Sequence, residues 1–205
     1  MQDIRPGSTD GRTQPMTMLD QEQNAEAAVP GHLLDSPVFG INLRSDTLRG
    51  NVCPEGTLLV FLRHFGCVFC REMVADLRQH AATEGAVGRI LFFYQGTIPE
   101  GRTFFAEHWS SARAIADQPL KFYQGFGIPK ASLGEMLTPA VWRRGMRSYA
   151  RGHRPGRIQG SVRQMPGLMW VRGGRILWRH DFEHSGDNPD VSQIPYLREL
   201  EPTMA

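Results

Sequence analysis

Leu58–Gln79 reads LLVFLRHFGCVFCREMVADLRQ, and its reading decides the fold. Leu58-Leu59-Val60-Phe61-Leu62 has the length and composition of a buried strand. Cys67-Val68-Phe69-Cys70 follows at once, and Phe69, Met73 and Leu77 then recur every four residues. That spacing puts one apolar face on a helix. The stretch is therefore a buried strand handing over to a helix, with two cysteines one turn apart at the junction.

Thiol exchange needs this arrangement for a physical reason. The reacting species is the thiolate, so the attacking sulfur needs a lowered pKa. Cys67 falls at the helix N-terminus, where unpaired N–H groups and the macrodipole favour negative charge. Cys70 is placed to close on Cys67 and release a mixed-disulfide partner. Cys67 and Cys70 are thus the candidate catalytic pair, the first as nucleophile and the second as resolving thiol. Arg63, His64, Gly66 and Arg71 lie beside them as candidates for the substrate groove, the cations adding positive potential. A C-x-x-C at a strand–helix junction is the pattern of thioredoxin-like redox proteins.

Two other readings compete. The pair is compatible with half of a zinc site completed by His64 or His80, but structural zinc takes four ligands in two close pairs, and Cys53 stands alone. Free cysteines are also often inert core residues. No metal is expected.

The stretch LRHFGCVFCREMVADL resembles the peroxiredoxin-like 2 family, in the AhpC/TSA branch of the thioredoxin superfamily. ADQPLKFYQGFGI at 116–128, KASL at 130–133 and HSGDNPD at 184–190 carry the resemblance onward, so that it covers most of Phe39 to Leu200. It implies an α/β thioredoxin-like fold: a central mixed sheet flanked by helices, with an N-terminal hairpin and an inserted helical segment. It also implies dithiol redox chemistry on a peroxide or disulfide. In one respect the chain departs from the pattern. Ordinary peroxiredoxins carry P-x-x-x-T-x-x-C, whereas here Val60 and His64 hold the proline and threonine positions. The hydroxyl that helps to hold peroxide is absent. In thioredoxins a cis-proline precedes the strand facing the C-x-x-C, and Pro166, in Met165-Pro166-Gly167, falls at the matching place. Met165 would then offer its backbone to an extended substrate by strand-like hydrogen bonding, against the alternative of an ordinary turn proline.

Composition bounds the rest. A chain of 205 residues, 40% hydrophobic and 21% charged, suggests one soluble domain with a tail. A net charge of +2 is too small to imply a nucleic-acid partner. No apolar run is long enough for a bilayer, and no signal peptide is visible, so a cytoplasmic location is expected. No nucleotide fingerprint appears, so reducing equivalents are expected from an external thiol of the thioredoxin or glutathione type rather than from a bound cofactor.

Along the chain, residues 1–36 read as a mobile or loosely docked tail, and 37–205 as the thioredoxin-like domain. Gln21–Ala28 is compatible with a short helix, and Ile41, Leu43 and Leu48 with short strands. Arg89–Tyr94 and Arg113–Asp117 read as strands, and Glu100–Ser110 as helix. Ser132–Arg151 reads as a long helix with Trp142, Met146 and Tyr149 on one face. The arginines from Arg143 to Arg163 form either an anion-binding rim or a solvated face. Gly173-Gly174 marks a hairpin between 168–171 and 176–178, and a last helix is expected after Asp187–Asp190.

Overall fold

Side chains alternate between two apolar layers along the first central strand, and this alternation sets the architecture. A computed structural model of the chain describes residues 27–84, 87–131, 160–180 and 189–194, with Met146, Ala150, Gly152, Ile158, Phe182 and Asp187. Among these, the strands are β1 (Ala27–Ala28), β2 (Gly40–Ile41), β3 (Thr57–Phe61), β4 (Ile90–Tyr94), β5 (Arg113–Ala116), β6 (Gly167–Arg172) and β7 (Arg175–His180). The helices are α1 (Gly31–Leu34), α2 (Leu48–Asn51), α3 (Val68–Glu84), α4 (Ile98–His108) and α5 (Lys121–Gly125).

The strands form one mixed sheet in the order β1-β7-β6-β3-β4-β5-β2. β3 pairs parallel with β4, and β4 with β5; β6 runs antiparallel to β3, with Phe61 opposite Gly167. Leu58, Val60 and Leu62 face the layer of α3 and α4, with Phe69, Met73, Val74, Leu77, Phe104 and Phe105. Leu59 and Phe61 face the other layer, with Leu33, Phe122, Tyr123 and Phe126. Every residue of β3 and β4 is buried, as a strand covered on both sides requires. Each fully buried Leu or Phe contributes about 1.5–3 kcal/mol, so these two strands are the centre of the core.

Local signals account for the element ends. Thr97 and Glu100 form a capping box at the start of α4. Both Asp117 carboxylate oxygens accept N–H groups at the start of α5, from Lys121 at 2.9 Å, Phe122 at 2.8 Å and Tyr123 at 3.1 Å. Gly173 and Gly174 turn β6 into β7 with φ of 58° and 75°, angles that side-chain-bearing residues adopt only with strain.

The N-terminal segment differs from expectation. Residues 27–36 are not a loose tail: β1 pairs with β7, and Leu33 and Leu34 are buried against the sheet. A few apolar residues suffice, because Leu33 and Leu34 pack into the same layer as Phe122, Tyr123 and Phe126. Ala27 and Ala28 are strand rather than helix. The expected hairpin is a turn-back closed by a Pro37–Thr47 bridge and by Val38 N–H on the Asp46 carbonyl, and only Gly40–Ile41 joins the sheet. Leu48 opens α2 instead of a strand, because the Thr47 hydroxyl accepts the Gly50 N–H and caps a helical turn. The long helix expected over 132–151 lies outside the described residues except for Met146 and Ala150, which are helical. Met146, expected on one face of that helix with Trp142 and Tyr149, is exposed. At the C-terminus, Asp190 caps a single 3₁₀ turn, Val191–Gln193; the remainder of the expected last helix lies outside the described residues.

Candidate active site

The carboxyl ends of β3 and β4 and the start of β6 meet at one edge of the sheet, where an open α/β sheet places its ligands. From β3 the chain turns through Arg63–Gly66, all buried, and enters α3. Cys67 stands at the position before the first helical residue, with its carbonyl accepting the Arg71 N–H at 3.2 Å. Its sulfur takes the N–H groups of Phe69 and Cys70, as a capping oxygen would.

The two sulfurs are neighbours and are not disulfide-bonded. The Cys70 thiol hydrogen-bonds the Cys67 sulfur, which is the largest influence lowering the Cys67 thiol to about 6. Burial opposes this, while the Arg63 charge and the two helix N–H groups assist it. Cys70 is pushed well above its usual range, because it donates to Cys67 and is buried. Environment has split two chemically identical groups into a ready thiolate and a retained thiol. Cys67 is 5% exposed and Cys70 3%.

Among the described residues, Arg63 is the cation that reaches this pair. Its backbone N–H lies 3.3 Å from the Cys70 sulfur and its Nη1 lies 3.6 Å from the Cys67 sulfur. Nε donates to the Gln164 carbonyl at 3.0 Å, and Nη2 to the Val162 carbonyl at 2.6 Å. Arg71 turns elsewhere: Nε donates to the Phe65 carbonyl at 2.9 Å and the guanidinium lies over the Phe104 ring. His64 is buried, and its Nδ1 has no hydrogen-bond partner among the described residues. Burial, with the Arg63 charge, lowers its pKa to about 4, so the ring is neutral near pH 7.

Met165 and Pro166 depart from the substrate-groove reading. Among the described residues no peptide bond is cis, so the Met165–Pro166 bond is trans. The Met165 N–H already donates to the Pro129 carbonyl at 3.1 Å, and its side chain is buried in the layer on the far side of the sheet. A backbone donor paired within the fold is not available to an extended substrate. The segment just before Met165 meets the site through Arg63 instead, which donates to the Val162 and Gln164 carbonyls.

Gln95, Tyr123 and Gln164 are site residues that sequence pattern did not mark. The Tyr123 hydroxyl donates to the Leu62 carbonyl and to the Phe93 carbonyl, tying the ends of β3 and β4 beneath the cysteines. Gln164 is buried and donates to Pro129 at 3.0 Å. A polar residue shortly after a buried strand was the only available signal for Gln95. Cys53 stands at the other end of β3, its sulfur 2.9 Å from Arg44 Nη1. A five-residue strand at about 3.3 Å per residue puts roughly 16 Å between that end and the pair, so within one chain Cys53 is not their partner. No group of three or more His, Cys, Asp or Glu able to hold a metal occurs among the described residues.

Comparison with known proteins places the chain in a family. A family model described as AhpC/TSA antioxidant enzyme matches residues 72–184, more than half of the chain, beginning just after the two cysteines. The thioredoxin-like protein AAED1, chloroplastic, of Arabidopsis thaliana is 25% identical over 171 residues, covering 72% of this chain. The chain spans 66% of that relative, just under two thirds of its length. The prostamide/prostaglandin F synthase of Danio rerio is 26% identical over 176 residues, covering 76% of this chain and 84% of the relative. Among solved structures, a mutant of PrxQ from Xylella fastidiosa superposes with a TM-score of 0.52 at 12% identity, covering 78% of this chain and 87% of that one, a likeness of fold. The chain belongs to the AhpC/TSA antioxidant enzyme family and carries its helices and mixed sheet in a thioredoxin-like fold.

Proposed function

We propose that this protein is a thiol-dependent oxidoreductase in which Cys67 attacks a peroxide or disulfide and Cys70 resolves the product. One observation carries the reading: the Cys67 sulfur sits at the head of α3, with the Cys70 thiol bonded to it and Arg63 Nη1 3.6 Å away. With a disulfide, the Cys67 thiolate attacks one sulfur, forms a mixed disulfide and expels the other as thiolate. Cys70 then gives up its proton and attacks the Cys67 sulfur, leaving a Cys67–Cys70 disulfide and a second free thiol. With a peroxide, attack on the terminal oxygen breaks the O–O bond, releasing an alcohol or water and leaving a sulfenic acid, which condenses with Cys70 and loses water. An external dithiol or two small thiols, of the thioredoxin or glutathione type, reduce the pair in a cytoplasmic setting.

The 5% exposure of Cys67 favours a small oxidant over a protein disulfide, since the terminal oxygen of a peroxide needs little open sulfur. The engaged Met165 N–H points the same way, because it withdraws the strand-like dock that a protein substrate would use. Purified protein supplied with peroxide or a model disulfide should consume reductant. Cys67→Ser should abolish this, and Cys70→Ser should accumulate a mixed disulfide. A wild type no faster than Cys67→Ser ends the enzymatic reading. The burial of both sulfurs also favours a second reading, a redox sensor on the same fold, which such a result would leave standing.

A further inference from the structure

Arg63 is buried, with 6% of its surface exposed, and its side chain is fixed by two carbonyls from residues 160–164, which precede β6. On one side this segment is held to residues 128–131: the Ala131 N–H donates to the Arg163 carbonyl at 2.7 Å, and Arg163 Nε donates to the Ala131 carbonyl at 3.0 Å. On the other side the link is Gln95, just past β4. Its Oε1 accepts the Ser161 N–H at 2.8 Å, while its Nε2 donates to the Ser161 carbonyl at 3.3 Å and to the Arg63 carbonyl. One amide thus bonds both backbone groups of Ser161 and the backbone of the arginine that faces Cys67. Gly160 completes the fit. Its φ is +69°, and a Cβ there would lie 2.5 Å from Gln95 Oε1.

We infer that Gln95 is a positioning residue: its amide locks residues 160–164 to the turn before Cys67 and thereby sets where the Arg63 guanidinium stands beside the Cys67 sulfur. Gln95 touches no reacting atom and acts through Arg63. The two guanidinium bonds to Val162 and Gln164 give Arg63 its direction; Gln164 is also held to Ile128 and Pro129, while the Gln95 amide fixes, through Ser161, the end of the segment next to Val162. If the segment shifts outward, its carbonyls draw the guanidinium away from the sulfur. The same amide therefore couples the placement of residues 160–164 to the charge felt by the thiol. The inference rests on Cys67 as the reactive sulfur but not on any turnover.

The experiment uses the full reduced chain carrying Cys53→Ser, so that only the pair reports. Thiolate absorbance at 240 nm is followed with pH, and iodoacetamide alkylation is timed at pH 6. In Gln95→Met, of similar length but without the amide, the Cys67 midpoint should rise by about one unit and alkylation should slow roughly five- to tenfold. Gly160→Ala leaves Gln95 intact and pushes the segment from its other end; it should move the midpoint in the same direction. A loss of packing alone would lower the melting temperature without moving that midpoint. Should Gln95→Met not fold, Gly160→Ala decides. Folded variants whose midpoint matches the parent overturn the inference. An inactive wild type whose variants still shift the midpoint removes the proposed turnover and leaves the role of Gln95 intact.

Discussion

Arg63 reaches Cys67 from the turn that precedes its helix, Nη1 to sulfur 3.6 Å, while the arginine's own backbone N–H contacts the Cys70 sulfur at 3.3 Å. A single residue is thus in contact with both members of the pair. Its charge acts on Cys67 in a buried setting, where screening by solvent and salt is weak.

Arg63→Met should therefore raise the Cys67 midpoint by about one unit, equivalent to about 1.4 kcal/mol of lost preference for the thiolate. The carbonyls of Val162 and Gln164 lose their donor as well, so the melting temperature should also fall. Thiolate absorbance and a thermal melt read the two effects separately. An unchanged midpoint would show that the helix N–H groups and Cys70 suffice.

The depressed Cys67 pKa ties stability to pH. The thiol titrates near 6 in the folded chain and near 9.0 ordinarily, so between these values the unfolded state binds more protons and folding gains as pH rises. This contribution is complete above the ordinary value and lost as pH falls through about 6. Cys70, raised in the fold, acts in the opposite sense only above its ordinary value of 9.0. Urea unfolding under reductant at pH 6 and pH 8 should show wild type gaining stability relative to Cys67→Ser, by on the order of 1 kcal/mol per pH unit at most. Parallel curves for the two proteins would contradict the lowered pKa.

His64 should not set the pH profile of the site. Its folded pKa, about 4, lies below the ordinary 6.5, so the ring stays neutral across the range in which Cys67 ionises. Protonating it favours the unfolded chain, and stability should fall as pH drops from about 6.5 towards 4. In His64→Asn that acid loss should shrink, while the alkylation limb near pH 6 stays in place. A displaced limb would instead show that His64 charge acts on the thiol.

Tyr123→Phe removes a buried hydroxyl that serves the carbonyls of Leu62 and Phe93 and keeps the ring's edge-to-face contact with Phe61. The cost should be about 1–3 kcal/mol, because a buried acceptor loses its partner. For a chain of this size that lowers the melting temperature by several degrees. Differential scanning calorimetry of the reduced protein measures it.

The strand–helix junction was legible in the sequence because its signals are local. Five apolar residues make a buried strand, a four-residue period makes the helix, and two cysteines a turn apart fall at its head whatever the rest of the chain does. The hairpin turn at Gly173-Gly174 was legible for the same reason: it depends on neighbours a few residues away. The Thr97–Glu100 cap was not read, and α4 starts at Ile98 rather than at Glu100. Leu48 was not legible, since its strand-like spacing lost to a Thr47 cap seen only once the backbone turned.

What tertiary structure alone decided is the setting of the sulfurs. Arg63 and Arg71 are equally close to Cys67 in sequence, yet only Arg63 faces it, because the carbonyls that orient its side chain lie about a hundred residues downstream. Gln95 and Tyr123 act at the site through bonds spanning 32 and 61 residues. Met165 looked available in the sequence and is engaged by Pro129 in the fold. Local pattern determines where a strand ends and a helix begins, and the hydrogen bond between two cysteines one turn apart is the largest influence separating them into an acidic sulfur and a protonated one; which charges, carbonyls and amides surround that pair, and how deeply it is buried, depends on how distant segments pack.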